Sequence, residues 1–137
     1  MRVLFDTNVL LDALLAREPF VEDAAFLLET VESGQVEGFI SATTVTDVHY
    51  LVGRQTKSTK VAIAAVTQLL ILMEICAVDR SVLDQAIALG LTDFEDAVQV
   101  ASAMKLGLEA IITRDLDGFI GSPIPVLSPK DMRNRLI

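Results

Sequence analysis

Residues 2–6 read Arg2-Val3-Leu4-Phe5-Asp6, and residues 110–115 read Ala110-Ile111-Ile112-Thr113-Arg114-Asp115. In both, an apolar run too short for a helix ends at or just before an acid. Similar short runs stand at Glu37–Ser41, Ile75–Val78 and Pro125–Leu127. Apolar runs of this kind, bounded by turn residues, read as strands. The segments between them carry apolar residues at three- and four-residue spacing. Ala24, Ala25, Leu27, Leu28 and Val31 form one such set; Val45, Val48, Leu51 and Val52 form another. Val61, Ala64, Ala65, Leu69 and Leu72 form a third. Strands alternating with helices predict an α/β fold with a parallel sheet of about five strands, covered on both faces.

The chain has 137 residues, which fits one domain over 1–137 with a core of its own. It is 52% hydrophobic with no Trp, and its mean hydropathy is +0.51. That predicts an aliphatic core and excludes intrinsic disorder. A single cysteine, Cys76, excludes a disulfide framework and a cysteine-based zinc cluster. It lies in an apolar strand and reads as core. Met1 runs directly into RVLFD, so no signal peptide is visible. Val61–Met73 is the most apolar window, and it is shorter than the ~20 residues that span a bilayer. It reads as a buried helix. These features predict a soluble, cytoplasmic protein with no membrane segment. The polar stretch Arg54–Thr59 and the stretch Gly118–Pro123 are the expected flexible points.

In open parallel sheets, ligands bind outside the carboxyl ends of the strands. Asp6 and Asp115 fall there. Asp6 opens a turn, Asp6-Thr7-Asn8, and each acid has an alternative reading as a turn or helix-capping residue. Thr92-Asp93-Phe94-Glu95 reads as a capping box, with Thr92 at the N-cap and Glu95 at the third helical position. The helix that follows carries Ala97, Val100, Ala101 and Met104 inward. Extended backwards, this stripe reaches Asp96 and Asp93. The helix dipole accounts for Asp93, but an inward Asp96 needs a partner. No Lys or Arg lies close by in sequence, so a cation is the natural one. Asp47 sits between Val45 and Val48 on the preceding helical segment, and its facing is ambiguous. Clustered carboxylates suit a hard cation such as Mg²⁺ or Mn²⁺, which takes oxygen ligands and assists hydrolysis of phosphodiesters. The only histidine is His49, and no glycine-rich phosphate loop is present, so His-ligated zinc and P-loop nucleotide chemistry are excluded.

Five stretches in order, DTNVLLDALLAREPF, ISATTVTDVHYLV, DFEDAVQVASA, IITRD and IPVLSP, resemble the PIN domain, and in particular the VapC-like ribonuclease toxins of type II toxin–antitoxin systems. The resemblance spans essentially the whole chain. It implies a three-layer α/β/α sandwich and a carboxylate site that binds Mg²⁺ or Mn²⁺ and hydrolyses RNA. Asp6 matches the first family acid, Asp96 the third, and Asp115 the last. Asp93 takes the extra acid position of the DFED form. Asp47 stands where the family usually has Glu, one methylene longer. Asn8 matches the polar residue that supports the first acid. The resemblance assigns the metal to Asp6, Asp96 and Asp115, with Asp93 and Asp47 tuning it or holding a second ion. Thr113 is a candidate for orienting the site through its hydroxyl, beside a role in strand packing. Asp117 is not counted, because Gly118 and Phe119 follow it where relatives have Asp-Phe. The implied reaction is in-line attack of an activated water on RNA phosphorus, leaving 5′-phosphate and 3′-hydroxyl ends.

The formal charge is −8, with 19 acids against 11 Lys and Arg. Such a balance excludes a broad basic footprint for nucleic acid. Setting the five candidate acids aside leaves −3, so the excess is compatible with a metal-dependent nuclease. Arg54, Lys57 and Lys60 form the densest basic run and are candidate RNA contacts. Arg17 and Arg114 flank the motifs, and Lys130, Arg133 and Arg135 end the chain. His49 and Tyr50 could stack on a base or pack their helix. The family further implies a cognate antitoxin and a homodimer. Two other readings stay open: a non-catalytic PIN-like module that binds RNA or protein, and a phosphatase of the haloacid-dehalogenase type, whose nucleophile loop Asp6-Thr7-Asn8 faintly resembles.

Overall fold

The computed structural model describes residues 1–137. Five strands form one sheet: β1 (Arg2–Phe5), β2 (Glu37–Ser41), β3 (Glu74–Cys76), β4 (Ala110–Ile112) and β5 (Val126–Leu127). Every pairing is parallel, in the order β3-β2-β1-β4-β5. The chain therefore builds one half of the sheet outward from β1, then returns to build the other half. Between β1 and β4 the order reverses, and a crevice opens at the carboxyl ends of those strands.

Successive residues of β1 serve opposite cores. Val3 and Phe5 join a cluster with Val9, Leu10, Leu27 and Ile40, while Leu4 joins one with Val100, Ile111 and Phe119. A strand buried on both faces must be apolar throughout, which is why this strand shows no alternation. The first face is covered by α1 (Thr7–Leu14), α2 (Val21–Glu32), α3 (Ala42–Thr56), α4 (Thr59–Leu72) and α7 (Pro129–Leu136). The second is covered by α6 (Phe94–Lys105), against which α5 (Arg80–Leu89) packs. The three-layer α/β/α sandwich is present. No helix is long and apolar enough to cross a membrane.

Several local expectations need correction. Asp6 opens no separate turn: helix α1 starts at Thr7. The third strand is Glu74–Cys76 rather than Ile75–Val78. Cys76 pairs with Ser41, the last residue of β2, so no partner strand continues beyond it. The thiol of Cys76 is buried, which pushes it up to about 11. Arg54–Thr59 is not a loop. Helix α3 runs to Thr56, Lys57 turns the chain in the left-handed region, and Ser58 caps α4 by accepting from the Val61 N–H at 3.1 Å. Helix α4 is not a buried helix either. Ala62, Ala65 and Leu69 are buried against α3, while Ile71 is 83% exposed and Ile63 and Leu70 are about half exposed. Its apolar residues surround the helix, so burying one side leaves the other side open to solvent. Within Gly118–Pro123 the chain is anchored: Asp117–Phe119 forms a 3₁₀ turn and Phe119 is 2% exposed.

Gly38 of β2 is required by packing. A Cβ there would lie 2.6 Å from Met73 Sδ and 3.0 Å from Val31 Cγ2. Gly38→Ala is expected to destabilise the fold by about 1–3 kcal/mol in urea unfolding, because it overfills a closed site. Gly53, inside α3, is the control. Its added methyl would meet only Ala62 Cβ at 3.6 Å, so Gly53→Ala is expected to stabilise by about 0.5–1 kcal/mol.

Candidate functional site

Asp6 follows β1 and is the N-cap of α1. Capping and a place in the crevice stood as alternatives for it; one carboxylate does both. Oδ1 accepts from the Thr7 N–H at 2.7 Å and from Gln99 Nε2 at 2.8 Å. Oδ2 accepts from Thr113 Oγ1 at 2.8 Å. The residue is only 7% exposed. A carboxylate offers about four lone-pair sites, so three bonds fix its plane and leave roughly one free.

Thr113, just past β4, is fully buried and links two acids. Its hydroxyl donates to Asp6 and accepts from the Asp115 N–H at 3.0 Å and from Asn8 Nδ2 at 3.4 Å. Asn8 Oδ1 accepts from the Arg114 N–H at 3.4 Å. Strand packing is thus only part of what Thr113 does. Together these bonds tie the start of α1 to the exit of β4, which sets Asp6 and Asp115 side by side.

Helix α6 begins one residue later than the capping-box reading. Its N-cap is Asp93, whose Oδ1 accepts from the Asp96 N–H at 3.0 Å, and Thr92 lies outside the helix. Asp93 is therefore exposed, whereas Asp96 is half-buried. The shift also frees Glu95 from any cap. It lies beside Asp47 of α3, and both line the crevice.

One open cleft of about 540 Å³ receives Asp6, Asn8, Asp47, Asp93, Asp96 and Asp115, with Thr113 beneath it. Arg54, Lys57 and Lys60 do not line it. They lie around the α3–α4 turn, and the cations that do line the cleft are Arg17 and Arg114. Tyr50 lines it too and is 61% exposed, so it does not pack its helix. Three polar residues escaped the sequence reading. Glu95 reads as a cap in the sequence. Gln99 interrupts an otherwise apolar stretch of α6, three residues after Asp96 on the same face. Its Oε1 is buried without a partner. Asp12 interrupts VLLDALL in α1 and is fully buried. For Gln99 and Asp12 the available signal was a polar residue at an inward helical position, whereas Glu95 is exposed and carried no such signal.

The acids perturb one another. The Asp96 carboxyl is pushed up to about 7 by burial, then by the charges of Asp6, Asp93 and Asp115. Glu95 is also raised to about 7, first by its hydrogen bond with Asp47, then by burial and by Asp47, Asp93 and Asp96. The donor set is all oxygen, as Mg²⁺ and Mn²⁺ prefer. Gly118 keeps open the space between two of the carboxylates. A Cβ there would lie 2.6 Å from Asp115 Oδ2 and 2.7 Å from Asp96 Oδ2. No three acids are already drawn together as ligands of one ion. The arrangement fits a cation that engages few side chains and keeps several waters, the usual habit of Mg²⁺.

A carboxyl raised in the folded state favours the fold below its unfolded value, near 4, and loses that contribution as pH rises through about 7. In EDTA, the melting temperature is therefore expected to fall from pH 5 to pH 8. Mn²⁺ should flatten that slope. Asp96→Asn should reduce it, as read by thermal melts across the pH series.

The PIN domain family model matches residues 2–117. No curated protein matches the chain in sequence. Among solved structures, a toxin–antitoxin complex from Klebsiella pneumoniae is similar at 25% identity and TM-score 0.69, covering 93% of this chain and 97% of that one. FitAcB from Neisseria gonorrhoeae is similar at 22% identity and TM-score 0.70, over 93% and 98%. The Mycobacterium tuberculosis toxin VapC20, described as cleaving the sarcin–ricin loop, is similar at 19% identity and TM-score 0.69, over 85% and 92%. A parallel five-stranded sheet with its acids at the central crevice, and a family match over most of the chain, place this protein in the PIN domain family.

Proposed function

We propose that this chain is a metal-dependent endoribonuclease, a single nuclease domain over residues 1–137, acting in the cytoplasm as the toxin of a toxin–antitoxin pair. One observation carries the reading. Six acids from four separate segments, Asp6, Asp47, Asp93, Glu95, Asp96 and Asp115, line one cleft at the carboxyl edge of the sheet in a member of this family. Catalysis without a counter-charge would leave them repelling both one another and an RNA phosphate.

Asp96 and Asp115, on either side of Gly118, would hold Mg²⁺ or Mn²⁺ together with the free lone pair of Asp6. The ion would neutralise charge at the phosphate and make water a competent nucleophile. The protein's own residues supply placement. Thr113, Gln99 and the Thr7 N–H hold Asp6 in one orientation, and Thr113 carries that alignment to Asp115. Asp47, in the place of the usual Glu, reaches the cleft with Glu95 as its partner. These two and Asp93 would tune the site or hold a second ion. Hydrolysis leaves 5′-phosphate and 3′-hydroxyl ends.

The similar structure from Klebsiella pneumoniae is a toxin–antitoxin complex, and a further one from Rickettsia felis, at 14% identity, is VapBC2 bound to a DNA fragment from its promoter. They support a protein antitoxin for this chain, and a homodimer beside it. Exposed Ile71, Ile87 and Ile120 offer apolar surface for such contacts.

The protein freed of any partner is expected to cleave RNA in Mg²⁺ or Mn²⁺, and EDTA should stop it. Asp6→Ala and Asp96→Ala should be inactive, and cleavage surviving Asp96→Ala overturns the site. Thr113→Val, which removes an orienting hydroxyl, should lower kcat/KM by about 10–100-fold. Gly118→Ala tests the ion separately. Its methyl intrudes between Asp96 and Asp115, so it should abolish the Mn²⁺-dependent rise in melting temperature while the metal-free melt stays cooperative.

A further inference from the structure

Asp12 lies on α1 with no solvent exposure, yet it is ionisable and apolar residues flank it in sequence. Two arginines from distant segments answer it. Arg17 Nε donates to Oδ1 at 2.9 Å. Arg114 Nε donates to Oδ2 at 2.5 Å, and its Nη2 donates to Oδ1 at 3.2 Å. Arg17 Nη2 also donates to the Asn8 carbonyl at 3.3 Å, and the Arg114 guanidinium stacks 3.9 Å from the Phe20 ring centroid. Each head group is thus fixed on one side. Nη1 of each has no partner in the protein, and the two side chains stay 39% and 29% exposed.

A purely structural pairing would need one arginine, and burying an ion pair is weak stabilisation compared with apolar packing. Here one carboxylate orients two guanidiniums, and both line the acid cleft as its only cations. Planar guanidinium groups with open N–H donors match the geometry of phosphate. The trio carries a net charge of +1 beside six acids that repel an anionic chain.

We infer that Arg17 and Arg114, positioned by the buried carboxylate of Asp12, clamp a backbone phosphate of RNA at the rim of the cleft. The inference rests on the ribonuclease reading and adds to it the residues that grip the substrate. Asp12 is a positioning residue, because it is shielded from solvent and acts through the two arginines. The clamp also explains how an acidic protein meets RNA without Arg54, Lys57 and Lys60 in the cleft.

The test separates gripping from cutting. A short fluorescein-labelled single-stranded RNA is titrated with protein in Ca²⁺ across a series of KCl concentrations, with gels verifying intact RNA. Arg17→Gln and Arg114→Gln should each weaken binding and reduce the slope of log K against log salt by about 0.7, the value for one phosphate on a single strand. Asp12→Asn should weaken binding in the wild-type background and change nothing in the Arg17→Gln/Arg114→Gln background. A role in stability alone would leave both slopes at the wild-type value. Thermal melts verify folding, and Arg17→Lys with Arg114→Lys supply folded variants should a Gln variant fail to fold. Those lysine variants should keep most of the salt slope and lose affinity. Unchanged slopes in both Gln variants overturn the clamp, as does a wild type that binds no RNA. Should the wild type bind with these arginine-dependent slopes yet fail to cleave in Mn²⁺, the ribonuclease reading falls and the clamp stands.

Discussion

A charged group held almost out of water organises this molecule. The Asp6 carboxylate follows the central strand, at the point where the sheet order reverses, and is 7% exposed. Leaving it unpaired there would be costly. The structure answers with a backbone N–H from α1, an amide from α6 and a hydroxyl from the end of β4. Each donor belongs to a different element, so satisfying one carboxylate fixes the relative positions of three. Gln99 bears part of that constraint: its Nε2 is committed to Asp6 and its Oε1 is buried without a partner.

The other acids sit around this fixed point in a graded way. Asp6 is buried and fully aligned. Asp96 and Asp115 flank Gly118, where an added Cβ would press on the ends of both carboxylates. Asp96 and Asp47 are half-buried, while Asp93, Glu95 and Asp115 are exposed. The grading matters for a hard cation. It needs some ligands fixed before it arrives and enough open space to retain water. At the same cleft, Asp12 fixes two arginines through the same device, a buried carboxylate answered by donors from separate segments. The acid excess of the composition is thus no uniform surface property. Six acids are concentrated at one cleft, and another is buried and holds the two arginines that share it.

Much of the fold was legible because its signals are local. Strands such as Ala110–Ile112 must be apolar throughout when helices cover both faces, and helix α2 shows its period plainly, with Ala24, Leu27 and Val31 buried. Asp6 and Asp115 stood out because ligands bind at the carboxyl ends of parallel strands, although capping was an equally ordinary reading there. Asp96 stood out because an inward acid on a helix needs a partner. Errors arose where several local patterns were equally good. Thr92 and Asp93 are both capable N-caps, and the choice between them decided whether Glu95 was a cap or a cleft residue. The apolar content of α4 signalled burial, but only packing on α3 decided which side was covered. Arg54–Thr59 was polar enough for a loop, yet Arg54 continues α3 and the turn between the helices is two residues.

The sequence by itself determined the alternation of strands and helices, the aliphatic core and the segments that bear the acids. These follow from hydrophobic period and residue chemistry within a few neighbours. Tertiary structure alone decided which polar groups meet. Thr113 touches Asp6 from 107 positions away, Gln99 from 93, and Arg114 reaches Asp12 across 102. No local pattern encodes such contacts, because a parallel sheet joins strand ends only after long crossovers. The energy of a buried carboxylate then selects whichever donors the closed fold brings within reach.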